Sequence, residues 1–328
     1  MLLAVAVAVP AALVGNLVPL VGGPVAGLVL GVAAGVVLRR RAPAWYARCR
    51  PGLDLAGRHV LQTAVVVLGL CLPLGRVADA GLRSLPVLLA TLAVALVGAW
   101  GLGRLLRLHP DTRILIGAGT GICGASAIAA VASVIRPTAE RTAYALGTIF
   151  TFNLVAVAVY PALGRLLGLS DPAFGLWAGT AINDTSSVIA AASAFGAGAV
   201  TLAVVVKLGR SLMIVPICVA LHLWRARDGR GTGRRSAPAA LVRAFPPFVL
   251  CFLLASALAA AGAPPAGWRP AVTELSSVLI TVALAGIGAG LDPRVVRAAG
   301  PRPLLFGGAL GAAVGASALG VQLVTGQL

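Results

Sequence analysis

A polar stripe inside an apolar segment is the strongest chemical signal in the sequence. Within GLWAGTAINDTSSVIAAASAF, Thr180, Asn183, Asp184 and Ser187 follow one another at helical spacing. On a continuous α-helix that spacing predicts one polar face. A carboxylate at the middle of a membrane costs at least ~2.5 kcal/mol, so Asp184 requires a partner, a water-filled cavity or a functional role. We therefore predict a transport site around Asp184.

Two basic residues form a second cluster in the next apolar segment. Lys207 and Arg210 are three residues apart in TLAVVVKLGRSLMIVPICVAL and share one helix face. Two cations at this depth can neutralise Asp184 or hold an anionic substrate. The alternatives are an architectural pair with Asp184, or an arginine that reaches the membrane surface, because paired charges in membranes can be purely structural.

Two glycine-rich segments are candidates for interrupted helices near these charges. They are IGAGTGICGASAIAA at 116–130 and LAGIGAGLDP at 284–293. Glycine weakens a helix by ~1 kcal/mol relative to alanine, and the N-terminus of a restarted helix offers N–H donors to an anion. Close helix packing is the alternative for any glycine, and we favour it for Gly27, Gly31 and Gly35. The predicted substrate-binding residues are Gly119, Thr120, Gly121, Cys123, Gly124, Ser126, Thr180, Asn183, Asp184, Ser187, Lys207, Arg210, Gly286 and Gly288.

Composition identifies the class of protein that carries these residues. Of 328 residues, 59% are hydrophobic and 11% are charged, and the mean hydropathy is +0.99, more than a soluble domain of this size can bury. Only helices and closed barrels satisfy their backbone in lipid, and the apolar runs are about 20 residues long. We therefore predict an all-α polytopic membrane protein with ten or eleven transmembrane helices. The predicted spans are 2–19, 20–38, 59–76, 84–106, 113–134, 138–167, 173–198, 200–223, 243–263, 273–297 and 302–325.

The spans predict two repeats of opposite orientation. Residues 1–19 form an extra N-terminal span, for which a cleaved signal peptide is the alternative, although no Lys or Arg precedes its apolar run. The ten remaining spans divide into five-helix repeats at 20–168 and 172–328, and an odd number of spans per repeat forces an inverted arrangement. The fourth span of each repeat is the glycine-rich one, so we expect a discontinuous helix in each. A basic loop at 223–243 joins two helices of the second repeat.

The distribution of Lys and Arg predicts the orientation in the membrane. The side that holds the 39–58 loop carries 19 of them and the opposite side carries 5. By the positive-inside rule the first side and the N-terminus are cytoplasmic, and the C-terminus is outside. The net charge of +17 is thereby explained without nucleic acid, since no aromatic residues alternate with the arginines. The prediction is a multi-pass protein of the bacterial inner membrane.

The sequence carries no motif for catalysis or for a resident cofactor. The five cysteines lack CxxC spacing and the three histidines are scattered, so we expect no metal site. HExxH, GxSxG and the ATP-binding GxxxxGK pattern are all missing from the sequence. We therefore expect no enzyme activity and no cofactor, and we expect transport to depend on a gradient or a partner.

Five motifs in order resemble the YeiH-like sulfate exporter family. They are IGAGTGICGASAIAA, YPALGRLLGL, GLWAGTAINDTSSVIAAAS, VKLGRSLMIVP and LAGIGAGLDPRVVRAAGPRPLL. The resemblance implies an inner-membrane protein similar in architecture to bile-acid symporters and sodium/proton antiporters, with crossed discontinuous helices. Lys207 and Arg210 match the basic pair of the family. Asn183 and Asp184 stand where many relatives have a His-Glu pair, which puts a proton-coupling role for that histidine in doubt.

These observations predict a secondary active transporter of a small inorganic or organic anion. Sulfate or organosulfonate export by alternating access follows from the resemblance. The alternative is a cation/proton antiporter of the sodium/proton type that uses Asn183 and Asp184. Lys207 discriminates between the two, because a cation site tolerates a permanent ammonium poorly unless that group is paired with Asp184. The expected partners are the anion, a coupling proton or sodium, the lipid bilayer and, as a homodimer, a second copy of the chain.

Overall fold

A computed structural model describes residues 1–17, 22–227, 247–291 and 300–328. Every regular element in these ranges is helical, and none of the described residues belongs to a β-strand. A π turn at Ala56–Val60 joins α3 to α4, and a 3-10 turn at Ala266–Trp268 precedes α14. The α-helices are α1 Leu2–Leu17, α2 Gly22–Arg41, α3 Pro43–Leu55, α4 Leu61–Gly69, α5 Leu74–Leu105, α6 Pro110–Gly121, α7 Ala125–Ile135, α8 Ala139–Leu166, α9 Asp171–Ala181, α10 Thr185–Phe195, α11 Ala197–Leu212, α12 Ile214–Arg227, α13 Pro247–Ala260, α14 Arg269–Gly290 and α15 Pro301–Val324.

Six helices among the described residues are long and apolar enough to cross a membrane. These are Gly23–Arg41, Leu74–Leu105, Ala139–Leu166, Ala197–Leu221, Arg269–Gly290 and Pro301–Val324. Shorter apolar helices accompany them, among them α7, α10 and α13. The prediction of an all-α polytopic membrane protein is confirmed. The predicted basic loop at 223–243 lies outside the described residues from position 228 onward.

The chain divides into two compact units. The first comprises the described residues of 1–80, 189–201 and 247–292, and the second those of 81–188, 202–246 and 293–328. In the first unit α2 packs along α14 through glycines. A β-carbon on Gly31 or Gly35 would overlap the main chain at Ala285 or Ala289, so the two backbones touch. The packing role predicted for these two glycines is confirmed.

The helix interruption predicted at Gly286 and Gly288 is wrong. Helix α14 runs without a break to Gly290. A β-carbon on Gly286 would lie 2.7 Å from Ala56 Cβ, and one on Gly288 would overlap the carbonyl of Leu28. These glycines therefore serve close helix packing, for which small residues are needed when lipid provides no hydrophobic driving force.

Helices α6 and α7, in the second unit, form an antiparallel hairpin. Arg141 Nη1 lies 2.9 Å from Asp111 Oδ2, which joins the start of α8 to the start of α6. If α6 and α7 were collinear, residues 111 and 135 would be ~36 Å apart, and the six residues to Arg141 could recover only ~20 Å. A β-carbon on Gly119 would also lie 3.2 Å from Ile128 Cδ1, so the two limbs lie side by side. Because α8 starts at the open end of this hairpin and is long enough to cross, the hairpin enters and leaves the membrane on one side.

The direction of α11 shows that the chain also reverses after α9. Lys207 Nζ lies 2.8 Å from the carbonyl oxygen of Ile182, at the end of α9. One turn earlier on both helices, the carbonyl oxygen of Ala203 lies 2.9 Å from the position of a β-carbon on Gly179. Contacts that advance together along two helices define a parallel pair, so the chain returns between positions 184 and 202. The start of α10, at 185–188 in the second unit, begins this return, and we call α9 together with this start the second hairpin.

The two hairpins carry a sequence repeat with an offset of 60 residues. AGTGICGASAIAAVAS at 118–133 and AGTAINDTSSVIAAAS at 178–193 are identical at eight of 16 positions. Each hairpin is followed by a long helix, α8 or α11, and α8 separates their points of entry, so the two copies are inverted. The five-helix repeats at 20–168 and 172–328 stay a prediction. The prediction that the helix interruptions lie in the fourth span of each repeat is wrong. The second interruption lies at 182–184, within the first span predicted for the second repeat.

The hairpin topology predicts which loops are labelled from the same side of the membrane. In a cysteine-free background, Arg107→Cys and Arg136→Cys should react with a membrane-impermeant maleimide from one side, and Leu167→Cys from the other. A straight crossing by α6 and α7 would place Arg107 and Arg136 on opposite sides. Labelling of intact cells and of inverted vesicles measures the difference, and reaction of the Arg107 and Arg136 variants from opposite sides would contradict the hairpin.

The packing of α14 predicts a contrast between two of its glycines. Gly288→Ala should lower the melting temperature of the detergent-purified protein, by an overpacking cost of about 1–3 kcal/mol. Gly290→Ala is the matched control, since a β-carbon at Gly290 meets nothing within 4 Å. Equal melting temperatures for the two variants would mean that α2 and α14 do not touch at Gly288.

Candidate functional site

The tips of the two hairpins meet beside the middle of α8. The first tip is Ile122–Gly124 and the second tip is Ile182–Asp184. A β-carbon on Gly124 would lie 3.5 Å from Asp184 Cβ and 3.4 Å from Ile149 Cγ2. One turn along α8, Asn153 Oδ1 accepts a hydrogen bond from the Asp184 N–H at 3.3 Å. Helices α6, α7 and α9 are 11 or 12 residues long, which is ~17 Å and about half of the hydrocarbon thickness, so a hairpin of this length reaches about halfway across a membrane.

Gly124 makes the first tip possible. Its φ of +71° lies in the region that side chains with a β-carbon rarely adopt. Its N–H donates to the carbonyl of Gly119 at 2.9 Å, and its own carbonyl accepts from Ile128 N at 3.1 Å. The reversal between α6 and α7 therefore keeps its backbone hydrogen-bonded, as apolar surroundings require.

Lys207 joins the two tips. Its side chain is fully buried, and Nζ donates to the carbonyls of Ile122 at 3.0 Å and Ile182 at 2.8 Å. Those carbonyls lie just beyond the C-termini of α6 and α9, where backbone oxygens lack helical partners and the helix dipole is negative. One ammonium therefore satisfies an orphan oxygen on each hairpin.

Arg210 repeats this bridging role one turn along α11. Its guanidinium is also fully buried, with Nε donating to Gly121 O at 2.8 Å and Nη1 to Ile182 O at 3.2 Å. Nη2 donates to the carbonyl of Thr120. Within the described ranges the structure gives neither Arg210 nor Lys207 an ion pair with Asp184. Their hydrogen-bond partners are carbonyls at helix C-termini.

Asp184 caps the returning limb of the second hairpin. Its Oδ2 accepts hydrogen bonds from the Ser186 N–H at 3.0 Å and from the Ser186 hydroxyl. This is an N-cap, in which a carboxylate satisfies orphan N–H groups at the positive end of a helix. Asp184 and Ser187 are half-buried.

The first hairpin has the same helix start without the carboxylate. In the 60-residue repeat Gly124 corresponds to Asp184 and Ser126 to Ser186. Gly124 has no side chain with which to cap helix α7, and Ser126 in the first turn of this helix is exposed. The two tips therefore differ by one negative charge at equivalent positions.

Asn183 has an unsatisfied polar atom at the second tip. The residue is 6% exposed, and its Oδ1 has no hydrogen-bond partner. A buried polar atom without a partner costs about 1–3 kcal/mol. Native structures place such atoms where function requires them or where water or an ion completes the site.

The structure corrects the polar face predicted for 180–187. Helix α9 ends at Ala181 and α10 begins at Thr185, so the stripe is a helix reversal. The Thr180 hydroxyl is buried and donates to Leu176 O at 2.7 Å and Trp177 O at 3.1 Å, within its own helix. Thr180 therefore supports α9 and offers no donor to a ligand.

Most of the predicted site residues come together in the second unit. Gly119, Thr120, Gly121, Cys123, Gly124 and Ser126 belong to the first hairpin, and Asn183, Asp184 and Ser187 to the second. Gly286 and Gly288 pack in the first unit. Two further residues at the tips were not predicted: Asn153, a single amide in the apolar helix α8, and Ser186, which corresponds to Ser126 in the 60-residue repeat.

The comparisons with known proteins agree along the whole chain. The family model described as conserved hypothetical protein 698 matches residues 1–307. A UPF0324 membrane protein of Streptococcus pyogenes serotype M3, SpyM3_0740, is 38% identical over 99% of this chain and 96% of its own length. The UPF0324 membrane protein FN0533 of Fusobacterium nucleatum is 34% identical over 97% of this chain and 95% of its own length. No solved structure matches the chain.

The coverage of both relatives and of the family model extends over the two units and both hairpins. The chain therefore belongs to the family of conserved hypothetical protein 698, the UPF0324 membrane proteins, and this is the YeiH-like family that its motifs resemble.

Proposed function

We propose that this protein is a secondary active transporter of a small anion, with sulfate or an organosulfonate as the substrate class. The observation that carries the proposal is the meeting of two half-membrane hairpins at two fully buried cations. Irregular backbone at membrane depth is tolerated where protein buries it or where it lines a cavity, and transporters place their substrates at such discontinuities. Export by alternating access is the direction that the family resemblance favours.

The first tip supplies the anion site in this proposal. The N–H groups in the first turn of α7 and the exposed Ser126 hydroxyl are donors at the positive end of a helix dipole. The second hairpin shows what such a start accepts, because there the Asp184 carboxylate receives two hydrogen bonds from Ser186. A sulfate or sulfonate oxygen would take the equivalent position beside Ser126.

Lys207 and Arg210 have an indirect role in this proposal. All the donors that the structure pairs on these two side chains point to hairpin carbonyls, so in this proposal the two side chains position the tips and do not bind the anion directly.

The hairpin topology retains the proposed orientation, with a cytoplasmic N-terminus and an external C-terminus. Each hairpin replaces one predicted membrane crossing with an entry and an exit on the same side. Because there are two such replacements, the two termini stay on the sides that were predicted for them. With the hairpins, Arg136 and Arg141 lie on the proposed cytoplasmic side and Arg165 lies on the opposite side. The cytoplasmic side then carries 20 Lys and Arg residues and the opposite side carries 4, instead of 19 and 5. The positive-inside rule therefore supports a multi-pass inner-membrane protein in this orientation more strongly with two hairpins than with eleven straight crossings.

Removing the Ser126 hydroxyl should weaken anion binding. A hydrogen bond to a charged group contributes about 1.5–3 kcal/mol, so Ser126→Ala should lower sulfate or methanesulfonate affinity by at least ~10-fold. The measurement is the rise in melting temperature of the purified protein as each anion is titrated against chloride. Ser133→Ala is the matched control, because that hydroxyl lies on the same helix and donates to Ala130 O at 2.7 Å.

The same titration decides the proposal. A wild-type protein that melts identically in sulfate, methanesulfonate and chloride would overturn binding of this substrate class. An unchanged shift in Ser126→Ala would place the anion elsewhere.

Lys207→Ala should abolish anion flux in proteoliposomes while the protein remains folded in the membrane. Its loss leaves the carbonyls of Ile122 and Ile182 without their shared donor, so the tips lose their alignment. Lys207→Arg keeps the charge and is the matched comparison, for which residual flux is expected. Retained sulfate flux in Lys207→Ala, with wild-type protein levels, would remove Lys207 from the mechanism.

A further inference from the structure

We propose that Gln322 is a positioning residue that binds α9 to α15 and thereby sets the place of the second tip. Gln322 is fully buried, and it is the only amide side chain in the sequence of α15. Burying an amide costs free energy unless hydrogen bonds replace those to water. The role of Gln322 lies outside the proposed anion site, and it depends on the proposed function only where anion flux is measured.

The amide of Gln322 contacts two backbone groups of α9. In the orientation that satisfies both amide atoms, the nitrogen donates to the carbonyl oxygen of Ala173 at 3.1 Å and the oxygen accepts from the N–H of Trp177 at 3.3 Å. Ala173 and Trp177 are four residues apart, so these two groups are partners of each other in a continuous α-helix such as α9. Helix α9 therefore does not need Gln322 to satisfy its backbone, and the amide serves the contact between the two helices.

Trp177 makes a second hydrogen bond between the same helices. Its side chain is buried, and Nε1 donates to the carbonyl oxygen of Gly315 at 2.9 Å, two turns before Gln322 on α15. The indole stacks on the ring of Tyr160 in α8, with 4.4 Å between the ring centroids. A β-carbon on Gly315 would lie 2.7 Å from the Tyr160 hydroxyl oxygen, so the glycine allows α15 to approach. Helix α9 is thus held against α15 at two levels.

The first hairpin packs against α15 through apolar side chains. Phe306 and Leu310 of α15 are fully buried in one hydrophobic cluster with Leu115, Ile122 and Ile128 of the first hairpin. Apolar contacts are non-directional, whereas hydrogen bonds fix a distance and a direction. Among the contacts that the structure describes, α15 therefore holds the second hairpin in a defined register and the first hairpin by packing.

The position of α9 determines the position of the second tip. Trp177 lies five residues before Ile182, which is ~7.5 Å along a helix. The carbonyl oxygen of Ile182 is the atom that Lys207 Nζ contacts at 2.8 Å. Gln322 therefore acts on the junction of the two tips through α9, and in this proposal it does not contact the substrate.

The test is the variant Gln322→Leu in proteoliposomes. The maximal rate of sulfate or methanesulfonate flux should fall ~3- to 10-fold, the effect of losing about one net hydrogen bond. The half-saturating anion concentration should stay unchanged, because the donors at the start of α7 are untouched. Gln327→Leu is the matched control, since the Gln327 amide donates to the carbonyl oxygen of Arg83 at 3.0 Å and not to α9. An equal loss of flux in both variants would overturn the positioning role.

Gln322→Glu tests whether the hydrogen bonds cause the effect. A neutral carboxyl keeps one donor and one acceptor, whereas the ionised carboxylate cannot donate to Ala173. The maximal flux per folded protein, relative to wild type at the same pH, should therefore rise as the pH is lowered. A ratio as low as that of Gln322→Leu at every pH would overturn the role of the two hydrogen bonds.

A labelling measurement reports the position of the second tip without any substrate. Ser187 is half-buried beside this tip, and Ser187→Cys in a cysteine-free background gives a thiol there. Gln322→Leu should make that thiol react several-fold faster with a maleimide, because α9 is held less firmly. Trp177→Phe, which removes the Nε1 donor and keeps an aromatic ring beside Tyr160, should act in the same direction and replaces Gln322→Leu if that variant folds poorly.

The outcomes for the positioning role and for the anion are separable. Wild-type labelling and wild-type flux in Gln322→Leu, with only a lower melting temperature, would make Gln322 purely structural and overturn the inference. Faster labelling in a protein that neither binds nor transports sulfate or methanesulfonate would retain the positioning role and reject the proposed substrates. Anion flux in the wild type together with unchanged labelling in both variants would do the reverse.

Discussion

Two buried cations that bind the C-termini of two half-membrane helices are the interaction on which the second unit depends. A helix that ends inside the membrane leaves backbone carbonyls that water cannot satisfy, and each one carries a cost. A buried Lys or Arg carries a comparable problem of the opposite sign. Lys207 and Arg210 solve both at once, because their N–H donors go to the carbonyls of Thr120, Gly121, Ile122 and Ile182. Neither group would be tolerated there without the other.

This pairing also explains why the two hairpins meet where they do. The first tip contacts α8 at Ile149 and the second tip contacts it at Asn153, one turn away, so a single helix contacts both tips. Helix α11 runs alongside α9 and carries both cations across the junction. Because α8 and α11 each follow a hairpin in the chain, one duplicated hairpin and helix suffices to build the arrangement, with the second copy inverted by the crossing of α8.

The sequence predicted the residue types of the site better than their geometry. Hydropathy predicted the membrane class, and the positions of Asp184, Lys207 and Arg210 in apolar segments predicted a cluster of charges. The spacing of the polar residues at 180–187 fits a helical period, but spacing alone cannot show that a helix reverses at 182–184. The 60-residue similarity between 118–133 and 178–193 is a more specific signal for the two reversals than the glycine content of 284–293, because glycines also serve close helix packing.

Glycine illustrates why composition could not distinguish the roles. Gly124 has a φ of +71° and reverses the chain, whereas Gly288 lies inside a continuous helix and brings α14 against the carbonyl of Leu28. Both occur in segments of similar composition, since a helix reversal and a close helix contact both require the absence of a β-carbon. What separates them is the partner, and partners distant in the chain are not visible in a local pattern. The difference between the two tips arises in the same way. Gly124 and Asp184 are equivalent positions in the 60-residue repeat, so one helix start has no side chain at the point where the other has a carboxylate that accepts from Ser186. A local sequence pattern does not show this difference, because it becomes visible only when the two distant copies are compared.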